Sequence, residues 1–204
     1  MLIVGLTGSI GMGKSTAAAR FRQHGIPVFD ADAEVHALYS GPLAAEIEAA
    51  FPGVVSAGRV DRTKLSAALL AAPHRFKELE AIVHPRVRAE QRAFLQCAFD
   101  SGAQVAVLEI PLLFEGNADS STDVTVVVSA DAAVQRQRVL ARPGMTEKKF
   151  NELLARQMPD KDKRARANFI VDTSGSVEAC NAQVDAIIAK IEQAPAHAYV
   201  RFWS

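Results

Sequence analysis

Gly8-Ser9-Ile10-Gly11-Met12-Gly13-Lys14-Ser15-Thr16 has the spacing Gly-x-x-x-x-Gly-Lys-Ser of a phosphate-binding loop. Its flanks decide how it is read. Leu2-Ile3-Val4-Gly5-Leu6 before it is an apolar run of strand length. Lys14 to Gln23 after it reads as a helix that stops at Gly25. Strand, glycine loop and helix together predict a seat for phosphate. The glycines keep side chains away, so successive backbone N–H groups face phosphate oxygens. The start of the helix adds unpaired donors and partial positive charge. Lys14 is expected to reach the β- and γ-phosphates and the Ser15 hydroxyl to ligate Mg²⁺. The loop alone implies a bound nucleoside triphosphate and names no reaction.

Composition narrows the class. The chain has 204 residues, enough for one domain or one core with small insertions. Its apolar fraction of 49% furnishes an ordinary globular core. Formal charge is zero, so nothing global points to nucleic acid or to a membrane surface. Neither a secretory leader nor the roughly 20 apolar residues of a membrane span is visible. Cys97 and Cys180 lie in helical patterns without metal-ligand spacing, and reduced thiols of a cytoplasmic protein are expected.

From Gly25 onward, Ile26 to Phe29 reads as a second strand ending in Asp30-Ala31-Asp32, with a helix from about Ala33 to Tyr39. Residues 41–100 hold no long strand. Leu43 to Phe51, Arg62 to Ala71, Pro73 to Val83 and Pro85 to Phe99 read as helices. Val54-Val55 and Arg59-Val60 around Gly58 suit a tiny hairpin. Pro73 and Pro85 each suit a first helical turn. A third long strand follows at Gln104 to Ile110, a fourth at Asp123 to Val128 and a fifth at Asn168 to Asp172. Between the last two lie helices at Asp131 to Arg142 and Thr146 to Met158; an amphipathic helix at Ser176 to Gln193 closes the pattern. Strands alternating with helices predict a three-layer α/β fold on a five-stranded parallel sheet. The aromatic tail from Pro195 to Ser204 is assigned no role.

A kinase needs a carboxylate near the acceptor hydroxyl, extra cations over the transferring phosphoryl and a way to exclude water. Asp30 and Asp32, two apart at a strand end, are the carboxylate candidates, with Asp32 the expected base; helix capping is the competing role. The cations gather in the segment 135–166, an Arg- and Lys-rich stretch between strands four and five. Arg138 and Arg142 share one helix face and are the expected contacts to ATP phosphates. Glu109, near the end of strand three, has either a Mg²⁺ role or an ion-pair role. Leu112, Leu113 and Phe114 suit a core, and His84 a structural helix joint.

These motifs resemble the dephospho-coenzyme A kinase family. The resemblance rests on residues 5–16, on Asp30-Ala31-Asp32 with His36, on His84-Pro85 with Arg88, and on Ile110-Pro111-Leu112-Leu113-Phe114-Glu115. It continues through Gln135, Arg138 and Arg142, Arg156-Gln157 and Ala167 to Asp172, over about residues 1–192. It implies a P-loop kinase fold and transfer of the γ-phosphoryl of ATP to the ribose 3′-hydroxyl of dephospho-coenzyme A, the last step of coenzyme A biosynthesis. It implies a nucleotide core (1–32, 101–135, 167–194), a helical coenzyme A-binding insertion (33–100) and a lid (136–166). By position, Gly11, Met12, Gly13, Lys14, Ser15 and Thr16 would bind ATP with Arg138 and Arg142, and Asp32 would act as base. His84, Arg88, Leu113, Phe114 and Glu115 would face the acceptor, and Ser15 and Glu109 would serve Mg²⁺. Two other readings stay open here. One is a P-loop kinase acting on a nucleotide or sugar. The other is a GTP switch, which lacks Asn-Lys-x-Asp although Asp172-Thr173-Ser174-Gly175 spells Asp-x-x-Gly.

Overall fold

β1 (Leu2–Thr7) is buried along its whole length, as an apolar strand in the middle of a parallel sheet must be. The computed structural model describes all residues, 1–204. The chain divides into two compact units, Met1–Phe29 with Phe94–Ser204, and Asp30–Ala93.

The first unit is built on a five-stranded sheet with order β2 (Val28–Asp30), β5 (Val105–Glu109), β1, β6 (Val124–Ser129) and β7 (Phe169–Asp172). β1 pairs in parallel with β5 through Leu2–Val105 to Leu6–Glu109, and with β6 through Val4–Val124 to Thr7–Val127. Alternate residues face opposite sides of the sheet. Leu2, Val4 and Leu6 pack with Val124, Val126 and Val128 against α1 (Lys14–Gln23) and α9 (Val177–Ile191), through Ala17, Phe21, Val184 and Ile188. On the other side Gly5 leaves room for Leu113, whose side chain would lie 2.8 Å from a Cβ at that position. The remaining helices of the unit are α6 (Ala132–Leu140), α7 (Glu147–Leu154) and α8 (Asp160–Arg166).

The second unit holds α2 (Ala31–Tyr39), α3 (Ala44–Ala50), the hairpin β3 (Val55–Ser56) with β4 (Arg59–Val60), and α4 (Arg62–Ala71). Its core gathers Leu38, Leu43, Ile47, Phe51, Leu65, Leu69 and Val83. The Glu48 carboxylate accepts from the Gly53 and Val55 N–H groups and so fixes the entry to the hairpin.

Three expectations need correction. The second strand begins at Val28 and not at Ile26, because Pro27 offers no N–H; its carbonyl alone joins the ladder, accepting from Val107 at 2.9 Å. The helices expected at 73–83 and 85–99 are one helix, α5 (Phe76–Asp100), preceded by a single 3₁₀ turn at Pro73–Arg75, with Pro85 inside it. Pro85 and Ala81 are both exposed, so water can satisfy the Ala81 carbonyl that lacks a partner N–H. The stretch after Pro159 contains α8, a helix the sequence pattern did not reveal.

The tail docks. Trp203 is 3% exposed and its indole N–H donates to the Ser121 carbonyl at 2.8 Å. The Tyr199 hydroxyl donates to Gln96, and its ring stacks on Phe99 with centroids 4.5 Å apart. The Asp123 carboxylate accepts from the N–H groups of Ile3, His197 and Ala198.

Candidate active site

The turn from β1 into α1 has the backbone that its glycines predict. Gly11 and Gly13 sit at φ +79° and +82°, in the left-handed region open to glycine. Gly13 is the N-cap of α1, no side chain caps the helix, and its first turn carries no acidic residue. The N-terminus is thus left as a cluster of donors with partial positive charge, which suits an anion. The loop is held from outside. Ile10 donates its N–H to Gln157 Oε1 at 3.0 Å, and its carbonyl accepts from Gln135 Nε2 at 2.8 Å. The Met12 carbonyl accepts from the Thr173 hydroxyl at 2.7 Å. A Cβ on Gly11 would run into Val139 of α6.

Lys14 Nζ lies 2.6 Å from Glu109 Oε1, and Arg22 approaches Glu109 Oε2 at 3.6 Å. Glu109 is 3% exposed, so two cations neutralise a carboxylate that would otherwise be strongly disfavoured there. This is the ion-pair role that the sequence left open for it. Ser15 is exposed, and its hydroxyl makes no hydrogen bond within the chain. No group of three or more His, Cys, Asp or Glu side chains forms a metal cluster.

The two arginines of the α6 region differ. Arg138 donates through Nη1 to the Thr173 hydroxyl at 3.1 Å and through Nη2 to the Thr173 carbonyl at 2.6 Å. It therefore stands beside Gly13, whose Cβ would meet the guanidinium at 3.4 Å. Arg142 is exposed in the turn after α6, close to Gly144 at φ +72°. Beyond the carboxyl ends of β6 and β7 lies a polar hollow of about 320 Å³, lined by Ser129, Asp131, Asp160, Arg164, Asp172 and Ser174. The Ser174 N–H bonded to Asp172 holds that carboxyl below its usual range.

After β5 the chain turns through Pro111 to Gly116. Leu113 and Phe114 are buried with Val127, and the Arg166 guanidinium lies over the Phe114 ring at 4.5 Å. Their side chains are core, so what this turn offers a ligand is backbone and Glu115.

In the second unit, Asp30 and Asp32 separate by role. Asp30 is the N-cap of α2, its side chain accepting from the Ala33 N–H at 3.0 Å. Asp32, in the first turn, is exposed and keeps its carboxylate free of hydrogen bonds within the chain. His84 and Arg88, four apart on one face of α5, line a second hollow of about 480 Å³ with Lys77, Glu80, Ala81 and Pro85.

Sequence reasoning gives no role to Arg22, Thr173 or Lys163, whose partners are distant in sequence, so spacing carries no signal for them. Gln135 and Gln157 belong to the motifs that carry the resemblance, but spacing does not reveal that they hold Ile10.

Within the first unit, an uncapped helix N-terminus behind left-handed glycines, with Arg138 beside it, is an arrangement that suits a phosphate group. Residues 2–179 match the model of the dephospho-CoA kinase family. The chain belongs to this family. Members are ATP-dependent kinases of coenzyme A biosynthesis, and membership decides against both the nucleotide- or sugar-kinase reading and the switch reading. The dephospho-CoA kinase of Rhizobium meliloti is 56% identical over 188 residues, 92% of this chain and 97% of its own. A Thermus thermophilus protein of solved structure superimposes with a TM-score of 0.80 at 37% identity, covering 93% of this chain and 97% of its own. The dephospho-CoA kinase from Campylobacter jejuni, 23% identical, shares the fold with a TM-score of 0.71 over 94% of this chain and 97% of its own. No helix is long and apolar enough to cross a membrane.

Proposed function

We propose that this chain transfers the γ-phosphoryl group of ATP to the ribose 3′-hydroxyl of dephospho-coenzyme A, giving coenzyme A and ADP. The observation that carries the donor half is the uncapped start of α1 beneath the left-handed glycines Gly11 and Gly13. In this reading residues Gly11 to Thr16 seat the phosphates, the N–H groups of Met12 and Thr16 being held by the Ser9 and Gly13 carbonyls while the others of the run face the phosphates, and Lys14 exchanges Glu109 for a phosphate oxygen. Arg142, exposed in the turn after α6, supplies a further cation to the nucleotide, and Arg138 flanks it from its seat on Thr173. A loose transition state spreads charge over the transferring oxygens, so cations already in place lower its energy without new covalent chemistry.

Asp32 orients or deprotonates the acceptor hydroxyl. The support is that Asp30 takes the capping role while Asp32 keeps a free carboxylate. His84, Arg88 and Glu115 are the acceptor-facing groups, with Leu113 and Phe114 contributing backbone. The segment 33–100 is then the acceptor-binding insertion and 136–166 the lid. Mg²⁺ fits the residues present, because one free hydroxyl, that of Ser15, together with substrate phosphates suits its preference for few protein ligands. When bound it would neutralise charge on the β- and γ-phosphates. Glu109 can serve it only after Lys14 has let go. The reading carries with it a cytoplasmic enzyme whose two cysteines are free thiols.

The test is turnover of ATP by the purified chain against dephospho-coenzyme A and a panel of nucleoside monophosphates and sugars. The product is read by mass and by phosphorus NMR. A 3′-phosphorylated product from dephospho-coenzyme A alone is expected; turnover of another acceptor in its place overturns the reading. Asp32→Asn is expected to lower kcat far more than it raises the KM for ATP. An effect confined to KM would make Asp32 a binding residue.

A further inference from the structure

Lys163 is 0% exposed, a rare state for a lysine. It lies in α8 and points away from solvent into the turn after β5. Its ammonium donates to the Pro111 carbonyl at 3.1 Å and lies 3.0 Å from Glu115 Oε1. The Pro111 carbonyl also accepts from the Thr7 hydroxyl at 3.0 Å, and Thr7 is the last residue of β1 before the phosphate loop. Glu115 Oε1 also accepts from the Met158 N–H at 2.7 Å, while Oε2 is buried without a protein partner. The residue before Met158 is Gln157, which holds Ile10 in the phosphate loop. One buried ammonium therefore ties together the end of β1, the turn Pro111–Glu115 and the chain that follows α7.

Stability alone does not explain this choice. A buried ion pair costs desolvation, and an apolar side chain of equal volume commonly matches or exceeds it in stability. What an ammonium adds is direction. Two acceptors, a carbonyl and a carboxylate, must point at one nitrogen, and this fixes both the path of the turn and the rotation of the Glu115 carboxylate.

We propose that Lys163 is a positioning residue that holds the Pro111–Glu115 turn, and Glu115 above all, in the form that receives the acceptor. The inference rests on the reading above, in which Glu115 faces dephospho-coenzyme A. It is separate from that reading in what it asserts, because Lys163 touches no substrate and acts through Glu115 and the Pro111 carbonyl.

Lys163→Met alone leaves the half-buried Glu115 carboxylate with the Met158 N–H as its one remaining partner and no cation, so its effect would mix folding with function. The informative variant is Lys163→Met with Glu115→Gln, measured beside Glu115→Gln alone, which keeps the lysine bonded to Pro111. The double variant is expected to melt close to the wild type. It is expected to show a KM for dephospho-coenzyme A at least about fivefold above that of Glu115→Gln, with the KM for ATP changed less than about twofold. Equal acceptor KM values in the two variants overturn the proposal. If the double variant fails to fold, Lys163→Gln, which retains an N–H donor, carries the test. A selective rise in the acceptor KM supports the proposal, and an equal change in both KM values overturns it. Wild-type turnover is read in the same assay. If the wild type does not use dephospho-coenzyme A, both proposals fall; if it does and the variants do not differ, only this one falls.

Discussion

Trp203→Ala tests whether the tail is part of the folded structure. The indole is 3% exposed, and its N–H donates to the Ser121 carbonyl at 2.8 Å. A tryptophan side chain buries up to about 250 Å², worth roughly 4–6 kcal/mol at about 25 cal/mol per Å² as an upper bound. Measured truncations of buried Phe and Trp to Ala cluster at about 3–5 kcal/mol, and that range is the expectation here. For a chain of this length, about 2–4 °C per kcal/mol converts the loss into a fall in Tm of about 6–20 °C. The assay is a far-UV circular dichroism melt of wild type, Trp203→Ala and Trp203→Phe. The phenylalanine variant keeps most of the apolar surface and loses the N–H, so it is expected between the other two. Trp203 is the sole tryptophan, so its fluorescence in the wild type reports on the tail alone. A Tm shift under about 2 °C for Trp203→Ala, with a fluorescence maximum typical of an exposed indole, would refute the reasoning.

Lys14→Ala is expected to preserve the circular dichroism spectrum, since Arg22 still faces Glu109, and to lower kcat by about 100-fold or more; near-normal turnover would contradict its phosphate role. Gly11→Ala imposes a left-handed conformation on alanine, costing about 1–2 kcal/mol, and adds a clash with Val139. A lower Tm together with weakened ATP binding by calorimetry is expected, and unchanged affinity would refute the close fit of the loop. Asp185 accepts a bidentate bond from Arg20 and a contact from His24, and Arg20 first of all holds its carboxyl down at about 2. Its folded value lies below the ordinary one, so the stabilisation is present above about pH 4 and is lost as pH falls towards about 2. The Tm difference between wild type and Asp185→Asn should be full at pH 6 and shrink towards pH 2.5; a difference that stays constant would sink the assignment.

The parts legible in the sequence were those written in local code. The glycine spacing, the apolar strands and the amphipathic pattern of α9 each act within a few residues. The sheet of five strands follows from their alternation with helices. Pro85 was misleading because a proline reads the same at a first turn and on the exposed face of a long helix, and only burial distinguishes the two. α8 escaped because the run Asp160-Lys161-Asp162-Lys163-Arg164 looks uniformly solvated; nothing local marks Lys163 as the one that turns inward. The pairing of Lys14 with Glu109 spans 95 positions, and the seat of Trp203 on Ser121 spans 82. The roles of Asp30 and Asp32 separated only when the cap geometry showed which carboxylate was already engaged.

The order of strands has a further consequence for the chain as it is made. β1 is flanked by β5 and β6, so its first sheet partner lies about a hundred residues downstream. At about 5–20 residues per second, the ribosome delivers that partner roughly 5–20 s after β1 has been synthesised. No side chain from Leu2 to Gly13 is charged and able to discourage contact with other chains. The strand that leads into the glycine loop is thus, in the nascent chain, the longest-waiting apolar strand and a natural place for a chaperone to bind.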